Sequence, residues 1–286
     1  MVLLVFVGYV FYHPVLIRNI LRKHWNISPD KDSLMHDNVT EENFNVTIEN
    51  NKTFKQKIYY YSKPGNQTNK LIIDIPGGGF LVAATNLNIY FNMANLDIDV
   101  VSIAYPVPME AQAKHTILYL EEAIQYIIEK YEKKYTTSKN DKSVFEVYLV
   151  TASSGSYYGA KLINRAKFKK HITKFVGISG YYGHKSVSNE FLKLIEKCYL
   201  TRTFWDFNDS QEVEYDCSPI TDPTIQTMFA IGKQDTLRES SICYSKLTGN
   251  DLELCTYEGN HTFYLNWNTP ETLRFYKDVE TFLMQL

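Results

Sequence analysis

Seven short runs rich in Val, Ile, Leu and aromatic residues, at 56–62, 70–75, 98–105, 145–151, 174–179, 227–232 and 252–257, set the strongest limit on how this chain can fold. Most are near-continuously apolar, the pattern of strands buried on both faces of a parallel sheet. Between them Ile117, Leu120, Ile124, Ile127, Ile128 and Tyr131 recur at three- and four-residue steps, giving one apolar stripe on a long helix. Further helices are expected to start near Ser156 and Arg238. A last one should cover 270–284, with Thr269 as its cap and Pro270 at its first position. Strand and helix in alternation make an α/β chain, a mostly parallel sheet covered by helices on both faces. The stretch 180–218 breaks the rhythm with its own short helix at 189–200 and reads as a small helical cap over the carboxyl edge of the sheet. Residues 30–55, polar and Asn-rich, read as a loop-like or partly ordered approach to the domain.

Three constellations carry chemistry. The run from Val147 to Ala160 ends a buried strand in T-A-S-S-G-S. A nucleophilic serine on a tight strand-to-helix turn needs small neighbours two residues before and after it. Ser153 has Thr151 and Gly155 there; its competitor Ser154 has Ala152 and Ser156, and Gly155 favours the Ser153 register. Taken alone, this stretch reads as an ordinary Ser/Gly-rich turn. Its company changes that. Upstream, Asp74 and Ile75 lead into Pro76-Gly77-Gly78-Gly79-Phe80, where glycines after a strand can present bare N–H donors to an oxyanion. No Lys-Ser/Thr follows, so a phosphate-binding P-loop is excluded. Downstream, Asp235 follows the strand at 227–232 and His261 the strand at 252–257, on the same sheet edge as the serine. The order Ser, Asp, His is the one the α/β-hydrolase fold uses. In these roles Ser153 is the nucleophile, His261 the base and Asp235 its orienting acid, with the N–H groups of Gly78, Gly79 and Ser154 as the oxyanion hole.

With these motifs the chain resembles the hormone-sensitive-lipase-like α/β-hydrolases, especially the arylacetamide deacetylase branch. The resemblance rests on P-G-G-G-F at 76–80, V-V-S-I-A-Y at 100–105, T-A-S-S-G-S at 151–156, D-T-L-R-E at 235–239 and H-T-F at 261–263, and runs from about residue 55 onward. It implies a serine carboxylic-ester hydrolase (esterase, lipase or deacetylase) acting through an acyl-enzyme on a small hydrophobic ester or amide, with no cofactor and no metal. Two departures stand out. Pro76 replaces the family's His, and Thr151-Ala152 replaces Gly-Asp at the turn. Two other readings stay open: a catalytically weak homologue that binds a ligand or a protein, and a kynurenine-formamidase-like amidase.

A net charge of -2 with interspersed signs gives no footprint for nucleic acid. The four cysteines, Cys198, Cys217, Cys243 and Cys255, lack C-x-x-C spacing, so a zinc site is not expected; Cys198 and Cys217 could pair in an oxidising compartment. Residues 1–23 form a distinct segment before a hydrolase domain at 24–286. Val2 to Ile17 is largely apolar, shorter than the ~20 residues of a spanning helix, and is followed by Arg18, Arg22 and Lys23. It reads as an uncleaved anchor or signal-like segment, or else as a helix packed on the domain or lying at a membrane surface. Seven N-x-S/T sequons, at Asn26, Asn38, Asn45, Asn51, Asn66, Asn208 and Asn260, point to a glycosylated lumenal chain, while the basic cluster points to the cytoplasmic side. The family resemblance implies the lumen of the endoplasmic reticulum; the alternative is a cytoplasmic, membrane-peripheral protein.

Overall fold

The computed structural model describes residues 39–48, 51–62, 69–80, 83, 96, 98–107, 110–135, 145–168, 170–183, 217–248, 254–265 and 269–285. The N-terminal segment 1–23, residues 184–216 of the cap expected at 180–218 with its helix at 189–200, and Cys198 lie outside them.

Among the described residues the chain forms one eight-stranded sheet: β1 (Val39–Ile48), β2 (Lys52–Tyr61), β3 (Lys70–Ile75), β4 (Asp99–Ile103), β5 (Glu146–Ala152), β6 (Ile172–Ile178), β7 (Gln226–Gly232) and β8 (Leu254–Tyr257). The order across the sheet is β1-β2-β4-β3-β5-β6-β7-β8. Every pair from β4 to β8 is parallel, while β1–β2 and β2–β4 are antiparallel. The described helices are α1 (Ala113–Tyr135), α2 (Ser154–Ile163), α3 (Arg238–Thr248) and α4 (Pro270–Met284).

The apolar runs divide between the two faces with the strand period of two. Leu71, Ile73 and Leu149 join one cluster with Leu120, Ile124, Tyr158 and Tyr244 of α1, α2 and α3. Ile72, Tyr148 and Val150 point the other way, to Phe275, Val279 and Leu283 of α4. Burial on both faces explains why these strands read as continuous apolar runs.

One expectation is corrected. Residues 39–48 are not loop-like but form the edge strand β1, paired along its whole length with β2. Its inward side chains carry the pattern: Phe44 stacks on Tyr126 of α1 at 5.0 Å between ring centroids, and Val46 is buried. The Asn and Thr residues between them face outward, as an antiparallel edge strand allows; Asn45 is exposed, and so is Asn51 at the hairpin turn. Glu42 fastens the hairpin to α1, accepting from Tyr126 (2.6 Å), Tyr60 (2.9 Å) and Lys130 (2.8 Å).

Helix α4 is secured at both ends. Thr269 Oγ1 accepts from Thr272 N–H at 3.2 Å and Pro270 opens the helix, as its sequence requires. At the other end Lys174 of β6, itself buried, donates to the carbonyls of Phe282 (2.9 Å), Leu283 (3.2 Å) and Gln285 (2.6 Å). These are the carbonyls a helix leaves without partners, and a cation there also suits the helix dipole. Replacing Lys174 with Met is expected to lower the unfolding free energy by about 3 kcal/mol, read as a shift in the urea midpoint at unchanged slope.

Candidate active site

The sheet order reverses at β3. The chain runs from β3 outward to β4, then crosses back to lay β5 on the other side of β3. A crevice opens at such a point, beyond the carboxyl ends of the two central strands. The glycine loop follows β3 and the serine turn follows β5, so the topology alone brings these two motifs together.

Ser153 follows β5 and precedes α2 with φ 50° and ψ −122°, a conformation no ordinary helix start needs. Its N–H donates to Ile178 O at 2.9 Å, and its carbonyl accepts from Ser156 and Tyr181 N–H, both at 3.1 Å. The turn closes because Gly155 has no side chain: a Cβ there would sit 2.2 Å from Ile75 O and 2.5 Å from Pro76 O. Gly77 meets the same restriction from the other side, its Cβ position lying 2.8 Å from Ser153 Cβ. The loop then passes through Gly78 (φ 141°), Gly79 (φ 61°) and Phe80 (φ 61°). Phe80 is held in this conformation by edge-on contacts with Tyr157, Tyr158 and Tyr181, at centroid distances of 5.5–5.9 Å.

The structure brings Ser153, His261 and Asp235 together. His261 Nε2 lies 2.9 Å from Ser153 Oγ, and His261 Nδ1 lies 2.9 Å from Asp235 Oδ1. Ser154 does not compete for His261: it is buried, with its hydroxyl beside that of Tyr105. The Asp235 side chain is fully buried, whereas that of His261 is 31% exposed. Burial pushes the Asp235 carboxyl up, but the hydrogen bond and charge of His261, helped by Leu237 N–H at 2.8 Å, hold it below its ordinary value. An ionised acid, a ring bonded through both nitrogens and a serine hydroxyl on a tight turn can together pass a proton from serine to imidazole.

Sequence reasoning missed the residues that hold this arrangement. Gln234 clamps the histidine loop twice, its N–H donating to Gly259 O and its side-chain oxygen accepting from Gly259 N–H, both at 2.9 Å. Gly232 makes room for that loop, since a Cβ would lie 2.5 Å from Gly259 O. The Tyr105 hydroxyl donates to Pro76 O at 2.7 Å and so braces the glycine loop that Pro76 itself cannot. The Thr151 hydroxyl lies 3.0 Å from Ser156 Oγ and 3.1 Å from Val176 O, which ties the turn to α2 and β6. The signals in sequence were Thr151, two residues before Ser153, and Tyr105, within the V-V-S-I-A-Y run.

No family model matches the chain, and no curated relative matches it either. Solved structures do. An esterase from the fungus Rhizomucor miehei superposes with a TM-score of 0.66 at 19% identity, over 93% of this chain and 89% of its own. The esterase LipW from Mycobacterium marinum gives 0.69 at 15% identity, over 94% and 88%. A thermostable esterase from Pseudomonas putida gives 0.68 at 13% identity, over 94% and 91%. The chain thus has the α/β-hydrolase fold.

Two outcomes follow from the geometry. Gly155→Ala forces the turn apart and is expected to lower the unfolding free energy by about 3 kcal/mol, measured by thermal and urea unfolding. Asp235, whose folded pKa is lowered, adds stability that is complete above its unfolded value of about 3.9 and is lost as pH falls through the folded value. The stability gap between the native chain and Asp235→Asn should therefore narrow as pH is taken below about 4, in urea titrations at stepped pH.

Proposed function

We propose that the protein is a serine carboxylic-ester hydrolase. The observation that carries this reading is the unbroken path from Ser153 Oγ through His261 to the buried Asp235, at 2.9 Å per step. It is supported by a turn and a glycine loop that have the strained conformations such chemistry needs, and by a fold shared with esterases.

In the proposed reaction His261 takes the Ser153 proton as Oγ attacks the carbonyl carbon of the substrate. The N–H groups of Gly78, Gly79 and Ser154 receive the negative charge on the carbonyl oxygen. His261 then protonates the leaving alcohol or amine, and an acyl-serine remains. Water attacks it, His261 accepts the water proton and returns it to Ser153 as the acid departs. Asp235 keeps the imidazole in the tautomer with its proton on Nδ1 and stabilises the imidazolium. The substrate is a small hydrophobic ester. The same machinery would cleave an aryl amide. The apolar run at 2–17 with basic residues after it supports membrane association of the full chain.

The test is labelling of purified protein by a fluorophosphonate probe. The native chain and Ser154→Ala should label and Ser153→Ala should not, with kcat on p-nitrophenyl butyrate falling on the order of 10⁵-fold in the latter. A folded native chain that takes no label overturns the reading and leaves a binding role, which the replacements at Pro76 and Ala152 would favour. Carbonate extraction of the full chain expressed in eukaryotic cells tests the anchor; a protein released into the supernatant counts against it.

A further inference from the structure

Ser179 stands just beyond β6 with φ 47°, in the left-handed region that costs a non-glycine residue roughly 1 kcal/mol. Its neighbourhood enforces that conformation. Ser179 N–H donates to Ala230 O of β7 at 2.8 Å, and Gly180 O accepts from Ser241 Oγ of α3 at 3.1 Å. Tyr181 N–H donates to Ser153 O at 3.1 Å, and Tyr182 N–H to Ser240 Oγ at 2.9 Å. Residues 179–182 are thus laced at once to β7, to α3 and to the backbone of the nucleophile.

Glycine would adopt this conformation without strain, so the backbone alone gives no reason for a serine. What serine adds is a hydroxyl, and that hydroxyl is fully buried. Ser179 Oγ and Asp235 Oδ2 are both buried, and among the described residues neither has a partner at full hydrogen-bond geometry. Leaving either polar atom unsatisfied costs about 1–3 kcal/mol. The two are neighbours: Ser179 is among the groups that help to hold the Asp235 carboxyl low. Asp235 Oδ1 is already engaged by His261 Nδ1 and Leu237 N–H, which leaves Oδ2 for the serine. Among the described residues, Tyr264 is a further titratable group near Asp235, its phenol pushed up by burial and then by the charges of Asp74 and Asp235.

We infer that Ser179 is a positioning residue for the hydrolysis, its hydroxyl donating to Asp235 Oδ2 so that the carboxylate holds His261 toward Ser153. The inference rests on the serine-hydrolase reading. An ionised carboxylate only accepts hydrogen bonds, so the hydroxyl must be the donor. With a donor on each oxygen the carboxylate cannot swing about its Cβ–Cγ bond, and the partly exposed imidazole inherits that fixed direction. The donor also draws charge from the carboxylate, which weakens the grip of the Asp235–His261 pair on a proton.

The experiment compares Ser179→Ala and Ser179→Gly with the native chain in pH-resolved kinetics on p-nitrophenyl butyrate, with fluorophosphonate labelling rates and thermal melts alongside. Both variants should lose five- to twentyfold in kcat with KM within twofold. The acid limb of kcat/KM should move to higher pH, because a carboxylate short of one donor holds the pair's proton more tightly. The glycine variant should melt no lower than the alanine variant and yet be no more active. A native pH profile and kcat in both variants overturns the inference, as does a glycine variant that recovers what alanine loses. A native chain that neither hydrolyses nor labels overturns the parent reading along with this one; an active native chain with unaffected variants overturns this one alone.

Discussion

The contact that the site depends on is the one between Gly155 and the carbonyls of Ile75 and Pro76, where helix α2 presses on the end of β3 with no side chain between them. It lets the serine turn and the glycine loop occupy adjoining space. Everything nearby is shaped to permit it. Ser153 takes a positive φ, Gly77 clears the Ser153 side chain, and Gly159 leaves room for the Thr151 methyl, which would lie 2.4 Å from a Cβ there. Close packing of this kind makes the geometry two-valued, assembled or absent.

The acid–base half of the site is built differently. Asp235 and His261 leave adjacent parallel strands, β7 and β8, and are joined by backbone and side-chain bonds through Gln234. The serine half rests on shape, the acid–base half on hydrogen bonds. Their catalytic side chains meet at His261, the most exposed of the three, and this is why groups that fix its direction matter more than those that merely surround it. The strained residues Phe80, Ser153 and Ser179 sit after β3, β5 and β6, all along the one edge. Strain gathered where several independent bonds enforce it is a mark of preorganisation.

Much of the fold was legible because burial on both faces leaves a strong signature. β3 is bounded at Lys70 and Ile75 by its apolar run and the proline after it, and α4 by Thr269-Pro270. β1 escaped because half its residues face outward; Phe44, Val46 and Ile48 alternate correctly, but the Asn and Thr between them resemble a loop. Ser153, Asp235 and His261 could be picked out since each follows a strand in a fixed order. Tyr105 was visible only as part of the V-V-S-I-A-Y run, and Gln234 and Ser179 not at all, since these roles depend on carbonyl positions and backbone angles that no spacing encodes.

The place of β3 in the sheet carries a consequence for how the chain is made. Leu71, Ile72 and Ile73 are fully buried, yet both strands that flank them, β4 and β5, lie later in the sequence. On the ribosome this apolar, β-branched segment has emerged long before the second of its neighbours is synthesised. The C-terminal strands add one beside another in order, but the centre waits. Until residue 152 is out, a segment fully buried in the finished molecule still lacks one of its neighbours, and protecting it falls to whatever meets the nascent chain first.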